Sequence, residues 1–170
     1  MILYIVRHAI AAPAGSNGPT EDDSQRPLTD KGRKRMRQIA QGLKELEAQI
    51  DLVLSSPYLR AAQTARILAK KFDLGKGKVI FTYNLTPAGY ADQLVNEINE
   101  SYGDVANIAL VGHEPSLSGL ASMLLSGDPA LSITLKKGGI CKLSVDSLQY
   151  GRCATLDWLL SPAQLVEIGG

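Results

Sequence analysis

The stretch Ile108-Ala109-Leu110-Val111-Gly112-His113-Glu114-Pro115 decides the architecture. Four consecutive apolar residues are too short a run for a helix. They read as a strand buried on both faces, the pattern of a parallel sheet covered by helices. Pro115 suits the opening of a helix, where its missing N–H costs nothing. Leu117, Leu120, Ala121 and Leu124 then recur at helical spacing. This is one βα unit, and the chain repeats it. Ile2–Val6 is a second continuous apolar strand. Thr29 is placed as an N-cap for a helix whose inward residues are Met36, Ile39, Ala40, Leu43 and Leu46. Asp51–Leu54 is a strand, and Pro57 can open a helix with Ala61, Ala65, Leu68 and Phe72 inward. Lys78–Phe81 is a strand, followed by a helix over Asp92–Tyr102.

Beyond the fourth helix the period falls to two. Leu131, Ile133 and Leu135 alternate with polar residues, as do Cys141, Leu143 and Val145, and less cleanly Leu156, Trp158 and Leu160. Such alternation predicts half-exposed antiparallel strands. The expected fold class is α/β, a three-layer α/β/α arrangement with a mostly parallel central sheet and antiparallel edge strands. The 170 residues fit a single domain over 1–170, long enough to bury about 70% of the unfolded surface without a disulfide or metal.

Composition narrows the function classes. Apolar residues make up 45% of the chain and charged residues 21%, an ordinary globular balance. Eighteen Lys and Arg against 17 Asp and Glu leave a net charge of +1, which argues against a nucleic-acid-wrapping protein. No apolar run approaches the roughly 18 residues of a membrane span. Met1–Val6 runs directly into Arg7-His8, unlike a secretory leader, so a cytoplasmic location is expected. Cys141 and Cys153 stand twelve positions apart with no C-x-x-C and read as small hydrophobes. The chain has only two histidines, His8 and His113, which excludes a His-rich zinc site.

Those two histidines fall at telling places. The first strand ends in Arg7-His8, the second in Ser55-Ser56-Pro57 with Arg60 at the next helix start, and the fourth in Gly112-His113. All three connections follow carboxyl ends of strands expected to be parallel, the edge where open α/β sheets bind ligands. Two imidazoles and two forked guanidinium groups beside helix N-termini describe an anion pocket, and phosphate is the anion they fit best. Residue types alone leave a binding-only site open beside a catalytic one. Ala11–Pro27 is a polar loop of about 17 residues, long enough to be functional. Lys31, Arg33, Lys34, Arg35 and Arg37 form a basic run on the first helix, read as a solvated face or a docking surface for an acidic partner.

These segments resemble the histidine phosphatase, or phosphoglycerate mutase-like, superfamily. The resemblance is carried by Arg7-His8, by Leu28-Thr29-Asp30-Lys31-Gly32, by Ser55 through Ala65 and by Gly112-His113-Glu114-Pro115, in that order along the chain. Asp23 through Thr29, Leu85 through Gly89 and Leu156 through Pro162 are similar to the SixA-type phosphohistidine phosphatases, and the likeness spans nearly the whole chain. One departure is Ala9, where the signature usually has glycine.

The resemblance implies that His8 is the nucleophile, that Arg7 and Arg60 bind the phosphoryl oxygens, and that His113 is a further donor, more useful when a bound dianion protonates it. It implies no metal and no cofactor. A general acid has no obvious match. Glu21, Asp22, Asp23, Asp92 and Glu114 are the candidates, and most read as solvated charges. A phosphoramidate needs an acid less than an ester does, because imidazole leaves more easily than an alkoxide. The implied substrate is phosphohistidine on a histidine-containing phosphotransfer protein, with no nucleic acid or membrane partner and a monomer favoured. A small-molecule phosphomonoesterase and a non-catalytic phosphate- or protein-binding module remain the competing readings.

Overall fold

Alternate residues of the central strands are apolar on both sides, and each set meets its own layer of helices. The computed structural model describes residues 1–15 and 22–170. Strands β1 (Ile2–Arg7), β2 (Leu52–Ser55), β3 (Val79–Phe81), β4 (Asn107–Gly112), β5 (Ile140–Val145) and β6 (Ala154–Leu160) form one sheet in the order β3-β2-β4-β1-β5-β6. The first four of that order run parallel, and β5 and β6 are antiparallel. Helices α1 (Asp30–Glu45), α2 (Leu59–Lys71), α3 (Ala91–Tyr102), α4 (Ser116–Ser126) and α5 (Pro162–Ile168) complete the fold. Leu3, Ile5, Leu54, Ile108 and Leu110 join α3 and α4 in one core, while Tyr4, Val6, Val53, Ala109 and Val111 join α1, α2 and α5 in the other. Each large side chain so buried stabilises the fold by about 1.5–3 kcal/mol, which is why these strands need apolar residues at every position. The three-layer α/β/α reading therefore holds.

Thr29 caps α1 as expected, its hydroxyl accepting from the Gly32 N–H at 2.9 Å. Gly32 has a second role. A Cβ there would lie 2.1 Å from the carbonyl oxygen of Ile10, a backbone atom that cannot swing away. Helix propensity alone would favour alanine by up to about 1 kcal/mol. The clash reverses the sign, and Gly32→Ala is expected to cost at least about 2 kcal/mol. Urea unfolding with an unchanged m-value measures this; a raised midpoint would contradict the close contact.

Three sequence expectations need correction, and one helix was not foreseen. Leu131–Leu135 is not a strand. Its backbone is engaged by side chains: Leu131 N–H donates to Ser122 Oγ, and the Leu135 carbonyl accepts from Arg7. The place beside β1 is already taken by β5. In β6, Lys142 pairs with Trp158 but Leu143 pairs with Leu156, so Asp157 is an extra residue. The bulge breaks the alternation and leaves Leu156 exposed, while Trp158 reaches the Tyr4 ring at 6.2 Å. Pro57 does not open α2, which starts at Leu59. Helix α5 goes beyond the expected elements. Its signal is Ser161-Pro162-Ala163-Gln164, a capping box in which Ser161 and Gln164 bond each other's backbone N–H. Both cysteines are free, and burial pushes the Cys141 thiol up to about 12. No helix among the described residues is long and apolar enough to cross a membrane.

Candidate active site

Strand order builds the site. Helix α1 carries the chain from β1 to β2, and β4 later inserts between them. The connections after β2, β4 and β1 thus lie side by side at the carboxyl edge, where chain direction switches. Backbone bonds tie them together: His8 N–H to the Gly112 carbonyl at 3.1 Å, and Ser56 N–H to that of Val111 at 2.9 Å.

His8 is 6% exposed. Its Nδ1 lies 2.7 Å from the Ala9 carbonyl oxygen. A carbonyl only accepts, so the ring proton sits on Nδ1 and Nε2 keeps its lone pair. Burial first, and then the charges of Arg60, Arg7 and Lys137, hold the imidazole down at about 4, against the opposing pull of the Ala9 bond. Ala9 is buried without a left-handed backbone, so glycine's freedom is not required there. Its N–H donates to Thr64 Oγ1 at 3.1 Å, and Thr64 Oγ1 donates to the Arg60 carbonyl at 2.8 Å. One hydroxyl thereby fixes the His8 loop to the first turn of α2.

His113 is 2% exposed, with its ring 5.1 Å from that of His8 and 5.2 Å from that of Tyr58. Its Nε2 lies 2.9 Å from Ser56 Oγ, which also accepts the Tyr58 N–H. When that hydroxyl donates to Nε2, the ring proton resides on Nδ1, which has no protein partner among the described residues. Burial, followed by His8 and Arg60, lowers His113 to about 3. In the free protein this ring is neutral.

Arg60 is 3% exposed and lies over the Tyr58 ring. Its Nη1 donates to the Asp23 carbonyl at 2.7 Å and its Nη2 to Asp23 Oδ2 at 2.9 Å. Arg7 Nη1 donates to the Leu135 carbonyl at 2.9 Å. The Nε atoms of both arginines are buried without a protein partner among the described residues. All four residues singled out in the sequence thus belong to this edge, and three of them hold a buried polar atom with no partner among the described residues.

Glu114 accepts the Ser118 N–H at 3.0 Å in the first turn of α4. Asp22 caps a 3₁₀ turn at Asp23–Gln25, and Asp92 is exposed in the first turn of α3. Glu21 and the middle of the predicted loop lie outside the described residues. Asp23, another of the general-acid candidates, is bonded to Arg60. Ser56, Tyr58 and Thr64 also support the site; all three lie inside the Ser55–Ala65 block. Of the basic run, Arg33 pairs with Asp30 at 2.6 Å, and Lys31, Lys34 and Arg37 are exposed. Among the described residues no group of three or more His, Cys, Asp and Glu could hold a metal ion.

A match to the family model described as histidine phosphatase superfamily (branch 1) covers residues 3–85. The phosphohistidine phosphatase SixA of Escherichia coli (strain K12) is 30% identical, with 97% of this chain and 96% of that protein covered. The chain belongs to the histidine phosphatase superfamily. An uncharacterized protein of Picosynechococcus sp. is 38% identical over 84% of each chain. The solved structure of the protein histidine phosphatase SixA complexed with tungstate shares 29% identity and superposes with a TM-score of 0.81, covering 97% of this chain and 99% of that one. The protein is a SixA-like phosphatase with the phosphoglycerate mutase-like fold.

The two low imidazole pKa values carry a stability consequence. Unfolded, each histidine titrates near 6.5; folded, near 4 and 3. Between these limits the unfolded chain binds more protons, so stability rises with pH there. Their contribution is complete above 6.5 and is lost as pH falls through that window, at up to about 1.4 kcal/mol per pH unit for each group. Urea unfolding at a series of pH values should show this slope, and His113→Asn should flatten it. An unchanged slope in the variant would assign the loss to other groups.

Proposed function

We propose that the protein hydrolyses the P–N bond of a phosphohistidine carried on a signalling protein, such as a histidine-containing phosphotransfer domain. The observation that carries this reading is the pair of buried neutral imidazoles flanked by two guanidinium groups whose buried Nε donors have no partner among the described residues. In the proposed reaction His8 Nε2 attacks phosphorus as the substrate's P–N bond breaks, and the leaving imidazole nitrogen takes up a proton from solvent. Arg7 and Arg60 bind the nonbridging oxygens, and His113 donates to them, gaining basicity from the dianion. Water then attacks the phosphoryl group on His8, the new P–N bond breaks, and inorganic phosphate and the free imidazole return.

Two features support phosphohistidine over a phosphoester. Among the described carboxylates none is presented as a free acid at the site: Asp23 is held ionised by Arg60 and Arg26, against the upward push of burial, and Glu114 is bonded into α4. An imidazole leaving group tolerates this, whereas an alkoxide does not. The second is the full-length similarity to the Escherichia coli phosphohistidine phosphatase. The test compares kcat/KM on a phosphorylated phosphotransfer domain with that on a panel of phosphomonoesters. Higher values on the domain are expected. Faster ester turnover would favour a small-molecule phosphatase, and no turnover on either would favour a binding module.

A further inference from the structure

The guanidinium group that should receive the phosphoryl oxygens is already occupied. Asp23 meets both terminal nitrogens of Arg60, through its carbonyl at 2.7 Å and its Oδ2 at 2.9 Å. Its other carboxylate oxygen is 2.7 Å from Arg26, and Arg26 is anchored by donating to the Ala12 carbonyl at 2.8 Å. The three groups form a bridge in which one carboxylate is shared between a buried arginine and a partly exposed one. Their environments differ. Arg60 is buried, whereas the Asp23 side chain is 52% exposed. The carboxylate therefore has solvent and Arg26 to turn to, while Arg60 has only what lies inside the site.

We infer that Asp23 is a positioning residue that acts through Arg60: its carboxylate holds the guanidinium in place in the free enzyme and yields it to the phosphoryl group as substrate enters. An arginine fork prefers the anion with more charge and more acceptor oxygens. A phosphoryl dianion displaces a carboxylate, whereas a singly charged anion gains little by the exchange. Asp23 thereby preorganises Arg60 and discriminates against weak anions. It also speeds product release, because it returns to Arg60 as inorganic phosphate leaves. Arg26 retains the displaced carboxylate, so the exchange leaves no isolated charge. The inference rests on the phosphate-binding role proposed for Arg60.

Two measurements test it, with inorganic phosphate as the probe. The first is a crystal structure of the wild-type protein with phosphate bound. The expected result is phosphate on Arg60 and an Asp23 Oδ2 to Arg60 Nη2 separation beyond about 4 Å, outside ion-pair range. The second is competitive inhibition of the wild type and of Asp23→Asn. Loss of the competing charge should tighten phosphate binding about tenfold and lower kcat through slower release. A purely structural role would weaken binding instead, so the sign separates the two. Phosphate on Arg60 with the Asp23 contact intact, or unchanged or weaker inhibition of Asp23→Asn, would overturn the inference and leave the phosphate site standing. Phosphate absent from Arg60 in the wild-type crystal would overturn the phosphate-site assignment and the inference with it. The wild-type crystal decides the matter even where the variant folds poorly.

Discussion

Replacing His8 with alanine is expected to reduce turnover by more than about 10⁴-fold, because removing a covalent nucleophile leaves only binding and electrostatic stabilisation. Burial and three nearby cations keep the ring neutral at working pH. The Ala9 carbonyl fixes the proton on Nδ1, leaving Nε2 with its lone pair. Alanine removes that lone pair, and no other described side chain replaces it, since Nε2 of His113 is already bonded to Ser56. The variant should still fold, because the change removes a polar ring whose bond is to its own neighbouring backbone. The measurement is paired: steady-state rates on a phosphohistidine protein, and acid-labile labelling of the enzyme from a phosphoryl donor. Both signals should vanish together. Label surviving on His8→Ala would place the covalent intermediate on another residue.

The second large effect is expected at Arg60. Loss of one preorganised donor at a developing phosphoryl charge costs roughly 10²–10³ in rate, and Arg60→Gln should fall in this range. Lysine should not restore it. Arg60 uses Nη1 and Nη2 at once on Asp23 and has a further N–H at Nε without a partner among the described residues. An ammonium is a point donor without that fork, so Arg60→Lys should remain at least about tenfold below wild type. The stability cost should be modest, because the partner left behind, Asp23, is half-exposed and keeps Arg26. Activity and urea midpoints measured on the same preparations separate the two effects. Full activity in Arg60→Lys would show that a point charge suffices.

Much of this was legible along the chain. Buried strands announce themselves through unbroken apolar runs, and Ile2–Val6 and Ile108–Val111 both lie within observed strands. Leu131–Leu135 carried the period of a strand without a partner, because alternation reports facing and not pairing. Leu156 was misplaced by the bulge at Asp157, which exists only in the register between β5 and β6. The short helix α5 had its capping residues in plain view, but too few turns to show a periodic face. At the site, His8, Arg7, Arg60 and His113 could be named from their positions at strand ends. Asp23 could be named only as a candidate acid, and its bond to Arg60, 37 residues away, could not be read. Ala9 was the one substitution in the signature, and its backbone needs nothing that only glycine provides.

The sequence by itself determined the parallel α/β core, the residue types at its carboxyl edge and the absence of any histidine chemistry beyond His8 and His113. These follow from local periodicity and from residue identity, which a chain carries whether folded or not. Tertiary structure decided who meets whom. Insertion of β4 between β1 and β2 brings two rings 105 positions apart in the chain to 5.1 Å. Burial at that edge sets both imidazoles neutral in the free protein, because desolvation belongs to the surroundings of a group and not to the group itself. The same edge hands the fork of Arg60 to Asp23, which the sequence offered only as a candidate acid.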